Sequence, residues 1–453
     1  MGNQELNLVE PISKKIYKSY EDEDIRVGIC LMQGWRKTME DTTLTIPNFD
    51  GKNNSLFGVF DGHGGSIISQ FVACNIDKVL KNSNYYQKSK SNNEKALVES
   101  FILMDELLKN KEVDTFLKKI LLNQKALNEI NGESPAGIIN RELSPNIKND
   151  PNNDYLFFVS SHWDNEANLK YQFPDLDNII KKPNGIEKNI NEYEDEENFV
   201  EKKEDKSPEV NTQKDEENYK SNTDKNIKYP NLNKLDQEKK EKTKRENNHI
   251  VNSKTFFKRR FFEFNEKNEP DLISNNIGTT ANILLLKKNY FYIANVGDSL
   301  SVMYKNRNAI KLNKEHKTTY DKELNRINKI GGKLINYRIN GKLNITRALG
   351  DLSYKNRNNG YIYEQDVLPI PEVKKYSLVD VDFIVMGTDG FWDYGDDIKT
   401  ICDNIYSELK KDPKRDLCAL IGNFFDKGLS KANNYLRGTD NMSCIIIQFL
   451  KKK

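Results

Sequence analysis

Three features that define other protein classes are scarce in this chain: cysteine, long apolar runs and an excess of charge of one sign. The five cysteines among 453 residues include no Cys-x-x-Cys pair, which argues against a disulfide framework or a thiolate zinc site. No apolar stretch approaches the roughly 18 residues of a membrane span, and the start of the chain lacks the apolar segment of a secretory signal. The 70 basic and 68 acidic residues leave a net charge of +2, so bulk charge indicates no nucleic acid partner. We therefore expect a cytoplasmic protein, with a nuclear or membrane-associated location left open.

The chain is also too polar to be folded throughout, since only 36% of its residues are hydrophobic and 30% are charged. Residues 125–270 are rich in Asn, Lys, Glu and Asp. We predict a flexible N-terminal arm over residues 1–22, one folded domain in two parts over 23–124 and 271–453, and a largely disordered insertion over 125–270. Two aromatic clusters in the insertion, Tyr155–Ser161 and Lys254–Phe264, leave a docking role open beside the simpler interpretation as a loop.

The first six residues half-match a signal for N-terminal acylation. Removal of Met1 would expose Gly2, but Leu6 stands where Ser or Thr is favoured. No cysteine lies close enough to carry a second acyl chain, and one chain alone gives only marginal attachment. A weak membrane association through Gly2 is left open.

An apolar run that stops at an aspartate marks the first candidate site. The segment Leu56–Phe60 is followed by Asp61-Gly62-His63-Gly64-Gly65, and apolar residues recur at helical spacing after Ser66. The pattern predicts a strand, a glycine turn and a helix, with Asp61 and His63 at the end of the strand. A carboxylate and an imidazole held in this way suit a metal or a phosphate, although an ordinary glycine-rich turn explains the motif equally well.

Other aspartates also stand at predicted strand ends. Asp389 follows Val381–Gly387, Asp440 precedes the last predicted strand, and Asp298 follows Val296-Gly297. If such carboxylates converge, an all-oxygen cluster selects hard cations such as Mg²⁺ or Mn²⁺. Two such ions roughly 3.5–4 Å apart can activate a water and clamp a phosphoryl group. Since 68 acidic residues place some aspartates at strand ends by chance, the pattern alone does not decide.

The coarse secondary structure favours an α+β fold. Short apolar runs such as Thr280–Leu286 and Tyr290–Val296, joined by three polar residues, predict a hairpin. Predicted amphipathic helices come in pairs, for example around Ile398–Leu409 and Leu417–Phe425. The pattern indicates packed antiparallel sheets with helices on the outside.

Nine motifs in order then make the chain recognisable. They are Gly34-Trp35-Arg36 with Met39-Glu40-Asp41, Val59–Gly65, Gly278-Thr279-Thr280-Ala281, Ala294–Ser299, Glu315-His316-Lys317, Glu323 with Arg326-Ile327 and Gly331-Gly332, Thr346–Asp351, Thr388–Asp393, and Asp440-Asn441-Met442-Ser443. This set resembles the metal-dependent serine/threonine protein phosphatases of type 2C (the PPM family). The resemblance covers about Ile25–Asn110 and Ile277–Leu450 and none of the insertion.

The resemblance implies a central β-sandwich of two antiparallel sheets flanked by pairs of helices, in four α/β/β/α layers. It implies two Mn²⁺ or Mg²⁺ ions and a third, weaker one. The metal site residues would be Asp61, Gly62, Asp389 and Asp440 as direct ligands, Glu40 on metal-bound water with Asp41 in support, and Asp105 for the third ion.

The resemblance also implies the reaction: hydrolysis of phosphoserine and phosphothreonine in proteins by direct attack of a metal-bridging hydroxide. Arg36 would bind the substrate phosphate with its planar fork, and His63 would act as the general acid. We expect a hydrolase in signalling that acts on phosphoprotein substrates as a monomer. The alternative is a catalytically weak or inactive scaffold with the same fold, acting through its insertion.

Several residues keep structural interpretations or depart from the family pattern. We expect His316 to be structural and Arg347 to form a buried ion pair, with Asp351 as the candidate partner. Leu300 stands where the family often has arginine, which puts phosphopeptide contacts there in doubt. The segment Lys355–Pro371 matches the place of a variable substrate-recognition element.

Overall fold

The computed structural model describes residues 7–87, 92–131, 271–357, 362–393, 395–431 and 437–450. Most of the predicted insertion, both of its aromatic clusters and Gly2 lie outside these residues, so their predicted roles stay predictions. Within the described residues, no helix is long and apolar enough to cross a membrane. The five cysteines, Cys30, Cys74, Cys402, Cys418 and Cys444, are all free and buried.

Sixteen strands are described. In the first part of the chain they are β1 (Asn7–Glu21), β2 (Ile25–Arg36), β3 (Thr42–Ile46), β4 (Ser55–Phe60) and β5 (Gly62–His63). In the second part they are β6 (Gly278–Thr279), β7 (Ala281–Leu286), β8 (Tyr290–Val296), β9 (Leu300–Lys305), β10 (Asn308–Lys311), β11 (Leu334–Ile335), β12 (Arg338–Ile339), β13 (Leu349–Gly350), β14 (Glu372–Ser377), β15 (Val381–Gly387) and β16 (Met442–Phe449).

Eight α-helices are described. They are α1 (Ile67–Asn82), α2 (Asn84–Gln87), α3 (Asn93–Leu108), α4 (Lys111–Asn131), α5 (Asp321–Lys329), α6 (Asp389–Trp392), α7 (Ile398–Lys411) and α8 (Leu417–Gly428). Asparagine or aspartate begins several of them, because a short side-chain oxygen can accept a hydrogen bond from the first free backbone N–H groups. Asn92 accepts from Lys95 N before α3, Asp397 from Thr400 N before α7, and Asp416 from Cys418 N before α8.

Two large antiparallel sheets form the centre of the fold. One has the strand order β1-β2-β16-β15-β9-β10 and the other β14-β8-β7-β4-β3. Ile25 pairs with Phe449 and Ser55 with Leu286, so each sheet joins the two parts of the chain. Two small sheets, β13-β6-β5 and β11-β12, complete the set.

The core explains why the two sheets face each other. Alternate residues of the central strands, including Ile29 of β2, Phe57 of β4 and Ile445 of β16, are fully buried in one cluster between the sheets. The opposite face of the six-stranded sheet is covered by α6, α7 and α8, and the five-stranded sheet packs against α1 and α3. The predicted four-layer α/β/β/α sandwich is therefore confirmed.

The N-terminal residues differ from the expectation of a flexible arm. Asn7–Glu21 form β1, which pairs with β2 from Asn7↔Arg36 to Glu21↔Arg26. β1 lies at the edge of its sheet, where only part of each strand face is covered, so its sequence is polar although Ile16 and Tyr20 pack against the core. Pro11 lies beside an irregularity in the pairing, as is typical of an edge strand.

Candidate active site

Three aspartates converge where strands of both sheets end. Asp61 directly follows β4, Asp298 follows β8, and Asp389 follows β15 and begins α6. One carboxylate oxygen from each lies within 4.8 Å of the other two. Two of these strands belong to the five-stranded sheet and one to the six-stranded sheet, so the site lies at one end of the sandwich.

Burial and mutual repulsion act on this cluster. Desolvation, followed by the charges of the neighbouring aspartates, raises the pKa of Asp61 and of Asp389 well above the usual range. The pKa of Asp298 is also raised by burial, although Lys317, whose Nζ lies 3.3 Å from Asp298 Oδ2, acts in the opposite direction. Among the described residues, no donor hydrogen-bonds the carboxylate of Asp61 or of Asp389. Uncompensated carboxylate oxygens at this spacing fit a hard divalent cation.

Polar side chains fix the backbone around these carboxylates. The N–H of Asp61 donates to Thr280 Oγ1 over 3.0 Å, and Thr280 N donates back to Asp61 O over 2.9 Å. Around Asp298, Asn295 Nδ2 donates to Gly297 O and Asn313 Nδ2 to Ser299 O. The backbone around Asp61 and Asp298 is therefore fixed by side chains from outside the cluster.

Asp440 lies close to the cluster but is engaged by Arg36. Arg36 Nη2 donates to Asp440 Oδ2 over 2.6 Å. Burial acts to lower the pKa of Arg36, but Asp440 outweighs it and the net shift is upward. The charge of Asp440 contributes to the raised pKa of both Asp61 and Asp389. The structure thus brings the predicted phosphate ligand and a predicted metal ligand into direct contact.

Glu40 and Asp41 lie close to the cluster, since the charge of Asp41 contributes to the raised pKa of Asp61 and Glu40 O lies against Gly62. Glu40 Oε1 accepts from Thr38 Oγ1 over 2.9 Å, and burial raises its pKa. Asp41 is buried and accepts from the hydroxyls of Thr388 and Ser443 over 2.9 and 2.8 Å. Burial raises the pKa of Asp41 to about 7.

Gly62 permits a close approach of two backbone segments. A Cβ on Gly62 would lie 2.4 Å from Glu40 O, so only glycine fits between the end of β4 and Glu40. The absence of a side chain at Gly62 therefore lets the backbone of Glu40 lie directly against the backbone that follows Asp61.

His63 is paired with Asp351. His63 Nε2 lies 2.6 Å from Asp351 Oδ2, and the carboxylate is almost fully buried. Burial alone would lower the pKa of His63, but the charge of Asp351 and the hydrogen bond to it more than offset this, so the pKa is raised. The imidazole is held in one orientation and its protonated form is favoured.

Asp105 does not join the acidic cluster. Its Oδ1 accepts from Lys355 Nζ over 2.6 Å and from Gly350 N over 3.0 Å, and its side chain is 1% exposed. The expected role of Asp105 in a third metal site stays a prediction; in this arrangement the cation beside Asp105 is the Lys355 ammonium group. Asp298 is the third member of the cluster. Its position at a strand end was visible in the sequence, whereas the resemblance implied a metal role for Asp105.

Three further expectations concern Arg347, His316 and Leu300. Arg347 does form a buried ion pair, but its partner is Glu323, at 2.9 and 2.7 Å, because Asp351 is turned towards His63. His316 is buried, and desolvation holds its pKa well below the usual range, as befits a structural histidine. Leu300 is 4% exposed in the core beneath α6 and α7, which accounts for an apolar residue at that position.

Sequence reasoning missed two more residues of the site. Asp351 ends a quoted motif, but nothing in its spacing indicates contact with His63. Lys317 was quoted beside His316 without a role, and the structure places it between Asp298 and Glu315, at 3.3 and 3.2 Å. Asp351 and His63 are 288 positions apart, so their contact is not visible in the sequence.

Comparisons with known proteins agree with the motifs. The family model described as "Protein phosphatase 2C" matches residues 25–119 and 184–430, so the match also covers part of the predicted insertion. "Probable protein phosphatase 2C 3" of Paramecium tetraurelia is 26% identical over 449 residues, which are 98% of this chain and 99% of that protein. "Probable protein phosphatase 2C 21" of Arabidopsis thaliana is 25% identical over 445 residues, which are 98% of this chain and 92% of that protein. A solved structure of a phosphatase from Toxoplasma gondii has 18% sequence identity and a TM-score of 0.49, over 96% of each chain.

Proposed function

This chain belongs to the protein phosphatase 2C family, and on that premise we propose that it hydrolyses phosphoserine and phosphothreonine in proteins in a metal-dependent reaction. The convergence of Asp61, Asp298 and Asp389 from two sheets is the observation that carries the proposal. Such a cluster of buried carboxylates is costly to leave ionised without a cation. Divalent ions, when bound, would supply an activated water and neutralise charge on the phosphate.

The metal ligands in this proposal follow the geometry. Asp61, Asp389 and Asp298 would contribute carboxylate oxygens, and Gly62 its carbonyl oxygen. Asp440 would be a further ligand, although its carboxylate accepts from Arg36 in this structure. Glu40 and Asp41 orient water on the opposite side, and Asp41 is itself oriented by Thr388 and Ser443. Two Mn²⁺ or Mg²⁺ ions remain the expected number, with a third, weaker one for which the resemblance implied Asp105.

Arg36 is the phosphate ligand in the proposal. Its guanidinium can hold two phosphate oxygens at once, which an ammonium group cannot do with the same geometry. In the structure its partner is the Asp440 carboxylate, an oxygen pair similar in shape to the edge of a phosphate. Substrate would therefore replace Asp440 as the partner of Arg36.

His63 is the proton donor. Because Nε2 is engaged by Asp351, Nδ1 is the ring nitrogen left to carry the proton to the leaving oxygen. As water adds its oxygen to phosphorus, its protons stay on the phosphate that is released, and the bond from phosphorus to the serine or threonine oxygen breaks. That oxygen takes the proton from His63, which becomes neutral. A positioned general acid of this kind contributes about 10²–10⁴ to the rate.

Phosphate release from a phosphothreonine peptide tests the proposal. We expect activity with Mn²⁺ or Mg²⁺, none in EDTA, and a large loss in Asp61→Asn and Asp389→Asn. Asp403→Asn is the control, because Asp403 lies on the exposed side of α7 and accepts from Lys399 and Tyr304. Full activity in EDTA, or in either cluster variant, would refute the proposal. The alternative of an inactive scaffold is not favoured, since every residue that the reaction needs is present.

Phosphoprotein substrates follow from the proposal. A cytoplasmic location and a monomeric state are also part of it, and the scarcity of cysteine pairs and of long apolar runs supports the first of these. A membrane role for Gly2 stays open.

A further inference from the structure

Asp105 and Lys355 form an ion pair in the interior of the domain. Asp105 Oδ1 lies 2.6 Å from Lys355 Nζ, and the two side chains are 1% and 3% exposed. Lys355 Nζ also donates to Ala348 O over 2.8 Å, whereas Asp105 Oδ2 has no hydrogen-bond partner. Buried ion pairs seldom improve on well-packed apolar residues in stability, so this pair calls for another explanation.

The same carboxylate oxygen holds a strained turn. Gly350 N donates to Asp105 Oδ1 over 3.0 Å, and Gly350 has φ +80°, where a Cβ would lie 2.5 Å from Ile277 O. The next residue, Asp351, is left-handed as well, with φ 51° and ψ 39°. A non-glycine residue in this conformation is destabilising and persists only where its surroundings hold it. Asp105 and Lys355 are among those surroundings, because they bind the backbone that leads into the turn, at Gly350 N and at Ala348 O.

The turn aims Asp351 at His63. Asp351 Oδ2 lies 2.6 Å from His63 Nε2. A backbone shift of about one ångström would therefore lengthen this hydrogen bond beyond its usual range. A chain of direct contacts therefore runs from Asp105 in α3 through Gly350 and Asp351 to His63.

We propose that Asp105 is a positioning residue for His63: together with Lys355 it fixes the Gly350–Asp351 turn, from which Asp351 orients the imidazole. This inference rests on the proposed phosphatase activity. Asp105 touches neither substrate nor the acidic cluster and acts only through Asp351. The resemblance implied a third metal ion as the role of Asp105. In this proposal Asp105 instead supports proton donation by His63.

The chain offers a matched control for a merely structural role. Asp77 in α1 is also a buried helical aspartate, is paired with a lysine (Lys81, 3.2 Å), and has one carboxylate oxygen without a partner. No described contact connects it to Asp351 or His63. Asp77→Asn should therefore affect stability in the same way as Asp105→Asn without affecting proton donation.

Leaving-group dependence separates positioning from stability. Departure of a threonine oxygen needs a proton, whereas departure of nitrophenolate from p-nitrophenyl phosphate hardly does. We expect Asp351→Asn to lower kcat on a phosphothreonine peptide by about 10²-fold, the low end of general-acid contributions, and kcat on p-nitrophenyl phosphate by less than about threefold. Asp105→Asn should show the same selectivity with a fall of about tenfold on the peptide. Asp77→Asn should leave the ratio of the two kcat values unchanged.

Two more variants keep the test decisive if Asp105→Asn folds poorly. Lys355→Met removes the ammonium and keeps the length of the side chain, and it should reduce the same ratio. The double variant Asp105→Asn/Lys355→Met contains no unpaired buried charge, so we expect a melting temperature near that of the wild type with the ratio still low.

Each result has one meaning. An equal fall on both substrates, an unchanged ratio in Asp105→Asn and Lys355→Met, or a ratio restored in the double variant would overturn the inference. If the wild-type protein with Mn²⁺ cleaved neither substrate, the proposed function would fail instead. A selective loss on the peptide in the Asp105, Lys355 and Asp351 variants, but not in Asp77→Asn, supports the positioning role.

Discussion

Arg36 at the end of β2 and Asp440 just before β16 are joined by a hydrogen bond of 2.6 Å between Nη2 and Oδ2. In the proposed reaction these two side chains serve different partners, phosphate and metal. The ion pair therefore defines a resting arrangement that both ligands must open. It also keeps a guanidinium charge beside a cluster of carboxylates before substrate arrives.

The first prediction concerns the geometry of Arg36. Arg36→Lys keeps the charge but loses the planar fork, so we expect the KM for a phosphothreonine peptide to rise about tenfold to a hundredfold, the range for one lost charge-assisted hydrogen bond. Arg26→Lys, at the other end of β2, is the control, because Arg26 bonds to the carbonyl groups of Pro413, Lys414 and Arg415. An unchanged KM in Arg36→Lys would remove Arg36 from the phosphate site.

The second prediction separates Asp298 from Asp105 as metal ligands. Asp298→Asn should weaken the binding of Mn²⁺, measured directly by titration calorimetry, because Asp298 shares the cluster with Asp61 and Asp389. Asp105→Asn should leave the Mn²⁺ isotherm of the wild type unchanged, because Asp105 is bound to Lys355. The opposite pattern would restore Asp105 to the metal site.

The third prediction concerns the pH dependence of stability without metal. The pKa values of Asp61, Asp298 and Asp389 are raised in the folded protein, and that of Asp41 is raised to about 7. A carboxyl group that binds its proton more tightly when folded stabilises the fold fully below its unfolded pKa of about 3.9, and this contribution is lost as the pH rises through the folded pKa. In EDTA, the melting temperature should therefore fall between pH 6 and pH 8.

Mg²⁺ should abolish much of that fall, since it neutralises the same carboxylates. Asp41→Asn should flatten the profile in EDTA, because the amide oxygen can still accept from Thr388 and Ser443 without acquiring a charge. A melting temperature in EDTA that rises from pH 6 to pH 8 would contradict the assignment of these shifts.

The fourth prediction concerns the buried Glu323. Burial raises its pKa, but Arg347 and Arg326 outweigh this and hold the pKa far below its usual range. Its stabilising contribution is therefore present at neutral pH and is lost only in acid. Glu323→Gln should cost about 3–5 kcal/mol of unfolding free energy at pH 7, because two buried guanidinium groups lose their partner. Denaturant unfolding measures this, with Glu408→Gln on the exposed face of α7 as a control that should change little; equal stability of the two variants would contradict the prediction.

The fifth prediction concerns Gly278, which makes room for the pair of His63 and Asp351. A Cβ on Gly278 would lie 2.3 Å from Asp351 Oδ2 and 2.8 Å from His63 Nε2. Gly278→Ala should therefore lower turnover of a phosphothreonine peptide more than that of p-nitrophenyl phosphate, as Asp351→Asn does. Gly332→Ala is the control, because the atoms nearest to a Cβ on Gly332 belong to Ile327 and Asp366 and not to His63 or Asp351. An unchanged ratio of the two activities in Gly278→Ala would contradict the prediction.

The sequence predicted what depends on local pattern. Apolar runs ending in aspartate located Asp61 and Asp389, and the ordered motifs implied the four-layer fold. Pairs of residues that are distant in the sequence could not be predicted in this way. Asp105 and Lys355, for example, are 250 positions apart, and only the fold shows that they are in contact. The choice of Asp351 as the partner of Arg347 failed for the same reason, because one carboxylate had two plausible cations and the left-handed turn decided between them.

The polarity of the edge strand β1 is the reason why a flexible arm was predicted over residues 1–22. Tyr17 is 48% exposed and Val9 is 91% exposed, so β1 buries too little apolar surface to look like a strand. Its stability comes from pairing with β2, and a backbone ladder leaves no mark on side-chain composition. Residues 7–21 therefore resembled a linker until their pairing partner was known.

The central place of β16 has a consequence for how the chain matures. Because β16 pairs with β2 on one side and β15 on the other, the six-stranded sheet has a gap until the last strand has been synthesised. Until then β2 and β15 lack the strand that lies between them. Pairing β2 with β16 closes a loop of several hundred residues, which is a slow step. The six-stranded sheet, and with it the end of β15 that positions Asp389, is thus complete only once β16 has joined it.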